Sequence, residues 1–136
     1  MGVNYLAIIV TAIVGYAIGM LWYSPLLFGN IWMNLQGITK KDMAKAKKKG
    51  MGKVMLLGFI TTLIMTLVLN YLIGLFGYAV AGDGALLGFW IWLGFLATTM
   101  LGIVLWENKP VPLYLINTAH YLVVLVIMGA ILGAWT

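Results

Sequence analysis

The sequence contains no cysteine and no arginine, one histidine, three prolines and three acidic residues among 136. Without cysteine, disulfides, thiolate metal sites and cysteine nucleophiles are excluded for the chain acting alone. Without arginine there is no planar fork to clamp a phosphate or carboxylate in two bonds. A zinc site needs three or four N, O or S ligands, and one histidine with one nearby acid does not supply them. The acids are Asp42, Asp83 and Glu107. None lies inside a long apolar run, where carboxylate-based ion coupling would need one. A Ser-His-Asp triad would require Asp42 or Asp83 to reach His120 from a loop. No catalytic constellation remains, so neither an enzyme nor a resident metal or cofactor is expected.

What is present is apolar. Hydrophobic residues make up 64% of the chain and charged residues 8%, against about 25% charged in a soluble domain. Mean hydropathy is +1.08. A chain this short with so little polar surface cannot close a core against water, so its solvent is lipid. The net charge of +5 would suggest nucleic acid on a soluble protein, but seven of the eight lysines fall between Lys40 and Lys53. They form one loop rather than a nucleic-acid-binding face.

A helix rises about 1.5 Å per residue, so a hydrocarbon layer of roughly 30 Å takes about 20 apolar residues. Four stretches qualify, 4–23, 54–77, 85–106 and 111–135, and none contains Lys, Arg, Asp or Glu. The expected architecture is an all-α, four-helix membrane bundle forming a single domain over 1–136. The first run has no basic residue before it and exceeds the apolar core of a signal peptide, about 7–15 residues, so it reads as a retained span. Pro25, Pro110 and Pro112 sit at span edges, which predicts helices unbroken at mid-membrane.

The lysine cluster and Lys109 fall on one side of a four-span topology. The positive-inside rule puts the 24–53 loop in the cytoplasm and both termini outside. Tyr5, Trp22, Tyr23, Trp32, Tyr78, Trp106, Tyr114 and Trp135 cluster at span ends as interfacial anchors. Within the loop, Pro25–Leu35 is apolar enough to lie flat in the headgroup layer. Thr39 and Asp42 have capping-box spacing before a short lysine helix closed by Gly50. The lysines read either as a topology signal or as a contact for anionic lipid headgroups.

Helices in lipid associate where small residues let backbones approach and where polar groups bond across. Gly15 and Gly19 share a face of the first span with Ala12. Gly58, Thr62, Thr66, Asn70 and Gly74 recur every fourth residue on the second. Gly84, Gly88, Ile91, Phe95, Thr98 and Gly102 alternate steps of four and three on the third, the spacing of a packing seam. On the fourth, Asn117 and His120 share a face, whereas Gly129 and Gly133 point nearly the opposite way. That second face is expected to meet another subunit in a homo-oligomer. A faint similarity between GMLWYSP and GIVLWENKP, at the ends of the first and third spans, would fit two parallel hairpin repeats, although so biased an alphabet also produces such matches by chance.

Polar groups at membrane depth are the default functional candidates, because each is costly unless paired. His120 lies about 15 Å into the fourth span by helix rise, one turn from Asn117. Glu107 ends the third span on the same side, and Tyr23 closes the first. One reading makes Tyr23, Glu107, Asn117 and His120 a polar cavity open to the cytoplasm, with His120 and Glu107 as a titratable pair. In the other, Asn117 and His120 only bond across helices and Glu107 pairs with Lys109. Accordingly, two functions stand side by side: a packing or accessory membrane component, and a channel or carrier for a small solute or ion.

Several segments together carry a family likeness: NYLAIIV, GMLWYSPLLFG with a following Trp, KKGMGK, LLGFWIWLGFLATT, and INTAHYLV before MGAIL. Over nearly its whole length the chain resembles the prokaryotic domain of unknown function 1761 family. The resemblance implies a small multi-pass protein of a prokaryotic plasma membrane with no established activity, and it assigns no site residue.

Overall fold

A computed structural model describes residues 4–135, whose regular elements are all helices, with no strand among them. The elements are α1 (Tyr5–Trp22), α2 (Gly29–Gln36), α3 (Lys40–Lys48), α4 (Gly52–Phe76), α5 (Ala81–Ile91), a π-helical turn (Trp92–Ala97), α6 (Thr98–Met100), α7 (Gly102–Leu105) and α8 (Val111–Ala134). Four helices are long and apolar enough to cross a membrane: Tyr5–Trp22, Gly52–Phe76, Ala81–Leu105 and Val111–Ala134. Their outward faces carry bare Leu, Ile, Val, Phe and Trp side chains. Exposure on that scale is stable only against acyl chains. This is a multi-pass membrane protein.

Helix ends follow local chemistry. Asn4 accepts the amide of Ala7 at 3.1 Å and opens α1. The third long helix starts at Ala81, earlier than the expected 85, and so takes Asp83 into its first turn. A carboxylate there faces the positive end of the helix dipole. At α3 the capping box is complete: Thr39 N–H donates to Asp42 Oδ2 at 2.9 Å, and Asp42 N–H donates to Thr39 Oγ1 at 3.2 Å. Those bonds, the backbone one first, hold the Asp42 carboxyl below its ordinary value.

The chain turns back sharply after α1, and α2 packs against α8. Trp22 lies tilted over Phe28, and Tyr23 meets Trp32 edge-on. Gly29 is buried in this reversal because any side chain there would strike the Tyr23 and Ser24 backbone.

Helix α8 occupies the centre, touching α1, α4 and α5. Far from the 23–51 connection, Ala7, Leu69, Ile73, Val124, Met128 and Leu132 form one apolar core. The closest pairing is α5 with α8. A methyl built on Gly84 would fall on the Gly129 carbonyl, one on Gly129 would fall on the Gly84 carbonyl, and one on Gly88 would fall on the Leu125 carbonyl. Only bare backbone permits that approach.

Three packing expectations do not hold in the folded chain. Gly129 and Gly133 are buried against Gly84 of the same chain rather than facing a partner, because α8 is central and both its faces are internal. The third-span seam stops at Ile91: Phe95 is 70% exposed, Thr98 is exposed with its hydroxyl donated back to Gly94, and Gly102 meets only the Trp106 side chain. Finally, that span is not uniformly α-helical. The π turn inserts extra residues per turn and rotates everything after it off the seam. It is held by α8, where Trp92 Nε1 donates to the Thr118 carbonyl at 2.7 Å and Tyr114 donates to the Ala97 carbonyl at 2.6 Å. On α4 the small-residue stripe makes contact at Gly58, Thr62 and buried Thr66, leaves Asn70 half-buried, and ends before Gly74, which has nothing within 4 Å.

Candidate functional site

A groove of about 400 Å³ opens between α1, α4 and α8 in the half of the bundle nearer the 23–51 connection. Its α1 wall is Gly15, Tyr16, Gly19, Met20 and Tyr23; its α4 wall is Gly58, Thr61, Thr62 and Met65; its α8 wall is His120, Tyr121 and Val124. The α1 wall is one helical face, since Tyr16, Gly19 and Tyr23 are three and four residues apart.

Glycine makes the room. A methyl on Gly19 would come within 2.9 Å of His120 Nε2, so the imidazole lies against bare α1 backbone. A methyl on Gly58 would sit 3.3 Å from the Tyr16 ring, whose hydroxyl donates to the Met55 carbonyl at 2.8 Å. Around His120 the rings close in, with Tyr121 at 4.6 Å, Tyr23 at 5.2 Å and Trp22 at 6.2 Å between centroids. These aromatics are themselves tied down. Tyr23 donates to Asn117 Oδ1 at 2.8 Å and Trp22 Nε1 donates to the Ile116 carbonyl at 3.1 Å.

The exception is His120. Its Nδ1 is shielded from the surface and has no hydrogen-bond partner, although buried polar atoms nearly always have one. Thr11 Oγ1 is the other such side-chain atom among the described residues. It lies on a buried threonine outside the groove lining.

Of the expected cavity residues, Tyr23, Asn117 and His120 come together, with Asn117 acting behind the wall as the acceptor that orients Tyr23. Glu107 does not join them. It is exposed, and it lines a separate shallow depression with Thr99, Met100, Gly102, Ile103 and Trp106 at the end of α7. The titratable pair expected between His120 and Glu107 is therefore not formed: the His120 face of α8 looks toward α1, whereas α7 packs elsewhere. The sequence does not single out Tyr16, Met20, Thr61, Met65 or Tyr121 as site residues; Trp22, which it places at the level of the cavity with Tyr23, stands beside His120 rather than in the groove lining. For Tyr16 and Met20 the signal was present, as a stripe shared with Gly19 and Tyr23. Tyr121 and Met65 depend on how three helices meet, which spacing does not report.

Residues 6–133 match the family described as protein of unknown function, DUF1761. The chain belongs to this family. No curated protein and no solved structure matches it. This DUF1761 protein brings His120 and three tyrosines together in one groove. No group of three or more His, Cys, Asp or Glu residues able to hold a metal occurs among the described residues.

Proposed function

We propose that this DUF1761 protein binds a small uncharged molecule within the bilayer, in the groove against His120, and serves as a carrier or accessory subunit for it. The observation that carries this reading is a groove of about 400 Å³ between membrane-spanning helices, lined by His120 and three tyrosines and by no charged side chain. The opposite half of the bundle is filled by the apolar core around Leu69, Ile73 and Met128. That plug favours a closed binding site over an open pore.

The test is thermal stabilisation of the purified protein by a panel of uncharged compounds, from glycerol and amides to phenols and quinones, read against His120→Leu. A compound that binds the native state at 100 times its Kd adds about 2.7 kcal/mol. We expect at least one compound to raise the Tm of the wild type and not of the variant; a flat response across the panel overturns the reading. Flux of that compound into proteoliposomes then separates carrier from accessory subunit.

A scaffold role in a homo-oligomer is the competing reading. It would have to use a surface other than the Gly129/Gly133 pair, which α5 occupies. For orientation we propose that the 24–53 loop is cytoplasmic in a prokaryotic plasma membrane, supported by its seven lysines. The exposed lysines of α3 also suit anionic headgroups. Cysteine-accessibility labelling at Lys47→Cys from each side of oriented vesicles tests the topology.

A further inference from the structure

The chemistry of the groove narrows its occupant, granted the binding reading above. No Lys, Arg, Asp or Glu lines it, so a charged guest would be desolvated with no counter-ion. The walls are aromatic and thioether: three tyrosines, His120, Met20 and Met65. Such side chains grip a planar ring through edge and face contacts and through sulfur–aromatic contacts. Polar handles are few, and they suit a ring oxygen. With Nδ1 shielded, the imidazole has only Nε2 to offer a guest, as donor or acceptor according to tautomer, and Tyr121 adds a hydroxyl on the same wall.

The mouth indicates the route. Two of the lining residues, Met20 and Thr61, are exposed, Met20 by 55%. Around them on α1 and α4 the exposed neighbours are Leu21, Leu57, Ile60 and Ile64. Thr61 lies about 14 Å along α4 from Gly52 by helix rise. The groove therefore opens sideways, where acyl chains must lie, rather than only at the end of the bundle. Its volume of about 400 Å³ is at the small end of ligand pockets, enough for a ring while a chain trails out between α1 and α4.

From this we infer that the groove takes an uncharged, lipid-soluble ring compound bearing a ring carbonyl or hydroxyl, of the quinone or phenol class, which enters from the bilayer with its ring against His120.

The experiment uses the full chain in lipid nanodiscs, with decylubiquinone, its reduced quinol and a decyl-substituted phenol as ring probes, and glycerol and decanol as ringless ones. Binding is read as a saturable Tm shift and as quenching of tryptophan emission, with Trp22 flanking the site. We expect saturable binding of at least one ring probe and none of the ringless pair. Apparent affinity should fall at least tenfold in His120→Leu, and likewise in Thr61→Phe, which narrows the mouth from an exposed position and spares the core. His120→Gln, which keeps one donor and one acceptor, should restore part of the affinity lost in His120→Leu. Quinone against quinol and phenol reports whether a carbonyl or a hydroxyl is preferred.

If glycerol or an amide binds in a His120-dependent way while no ring probe does, the ring inference falls and the binding reading survives. When no compound binds, both fall. Binding of decanol as tight as that of the ring probes, or ring binding indifferent to Thr61→Phe and His120→Leu, would mean nonspecific partition and would also overturn the inference.

Discussion

Substituting alanine at Gly84 or Gly129 tests the geometry on which the whole bundle rests. Each added methyl would fall on the carbonyl oxygen of the other glycine, whereas carbon–oxygen contacts settle near about 3.3 Å. The two backbones must then part by roughly 1 Å, and a gap of that size forfeits about a quarter to a half of each dispersion contact along the pair. With the displaced atoms being backbone rather than flexible side-chain ends, a cost of about 1–3 kcal/mol is expected for each variant. For a chain of this length that lowers Tm by roughly 5–12 °C. Since the clashes are reciprocal, opening the pair for one methyl makes most of the room for the other, so the double variant should cost less than the sum of the singles. Gly74→Ala is the control. Nothing lies within 4 Å of a methyl there, and alanine is favoured over glycine in a helix by about 1 kcal/mol, so its Tm should hold or rise. The six tryptophans report unfolding directly in detergent. If Gly84→Ala and Gly129→Ala melt with the wild type, the backbones of α5 and α8 do not approach each other at these glycines. Should Gly129→Ala instead change oligomer size without changing Tm, the glycine pair belongs between chains after all.

Further outcomes follow from other parts of the molecule. His120→Leu removes a shielded, unpartnered nitrogen, so it should leave Tm unchanged or raise it by up to a few degrees; a drop above about 5 °C would mean that the imidazole holds helices together. Tyr23→Phe deletes one hydrogen bond to Asn117 and should cost about 0.5–1.5 kcal/mol, with Asn117→Leu in the same background adding little more; additive losses in the double-mutant cycle would deny the coupling. Tyr114→Phe frees the Ala97 carbonyl at the π turn, so amide exchange should rise around 92–101 and not in α1; uniform exchange would show that the turn does not depend on that bond. At α3, Asp42 has a folded-state value below its unfolded one. Its contribution is therefore present above about pH 4 and is lost as pH falls through the lower folded value. Amide protection of α3 should decline in that acid window in the wild type and be insensitive to it in Asp42→Asn.

Membrane character, the number of crossings and most helix ends were legible in the residues alone, since they depend on local quantities. Twenty apolar residues in a row exceed what water tolerates wherever they sit, and Thr39–Asp42 is a cap by spacing alone. The apposition of Gly84 with Gly129 was half legible: both glycines stood out as sites of close approach, but periodicity names a face without naming what covers it. Only the tertiary arrangement decided that α8 is central, so that its glycine face and its His120 face are both interior. The π turn was not readable either, because Trp92–Ala97 looks like ordinary helix and the bonds at its two ends, from Trp92 to the Thr118 carbonyl and from Tyr114 to the Ala97 carbonyl, exist only once α8 packs against it. Assembly likewise separated Glu107 from His120, since two residues at the same depth meet only if their helices turn toward each other. Hydropathy is a sum over one segment, whereas a binding groove is a difference between three surfaces, and that difference exists only once they are packed.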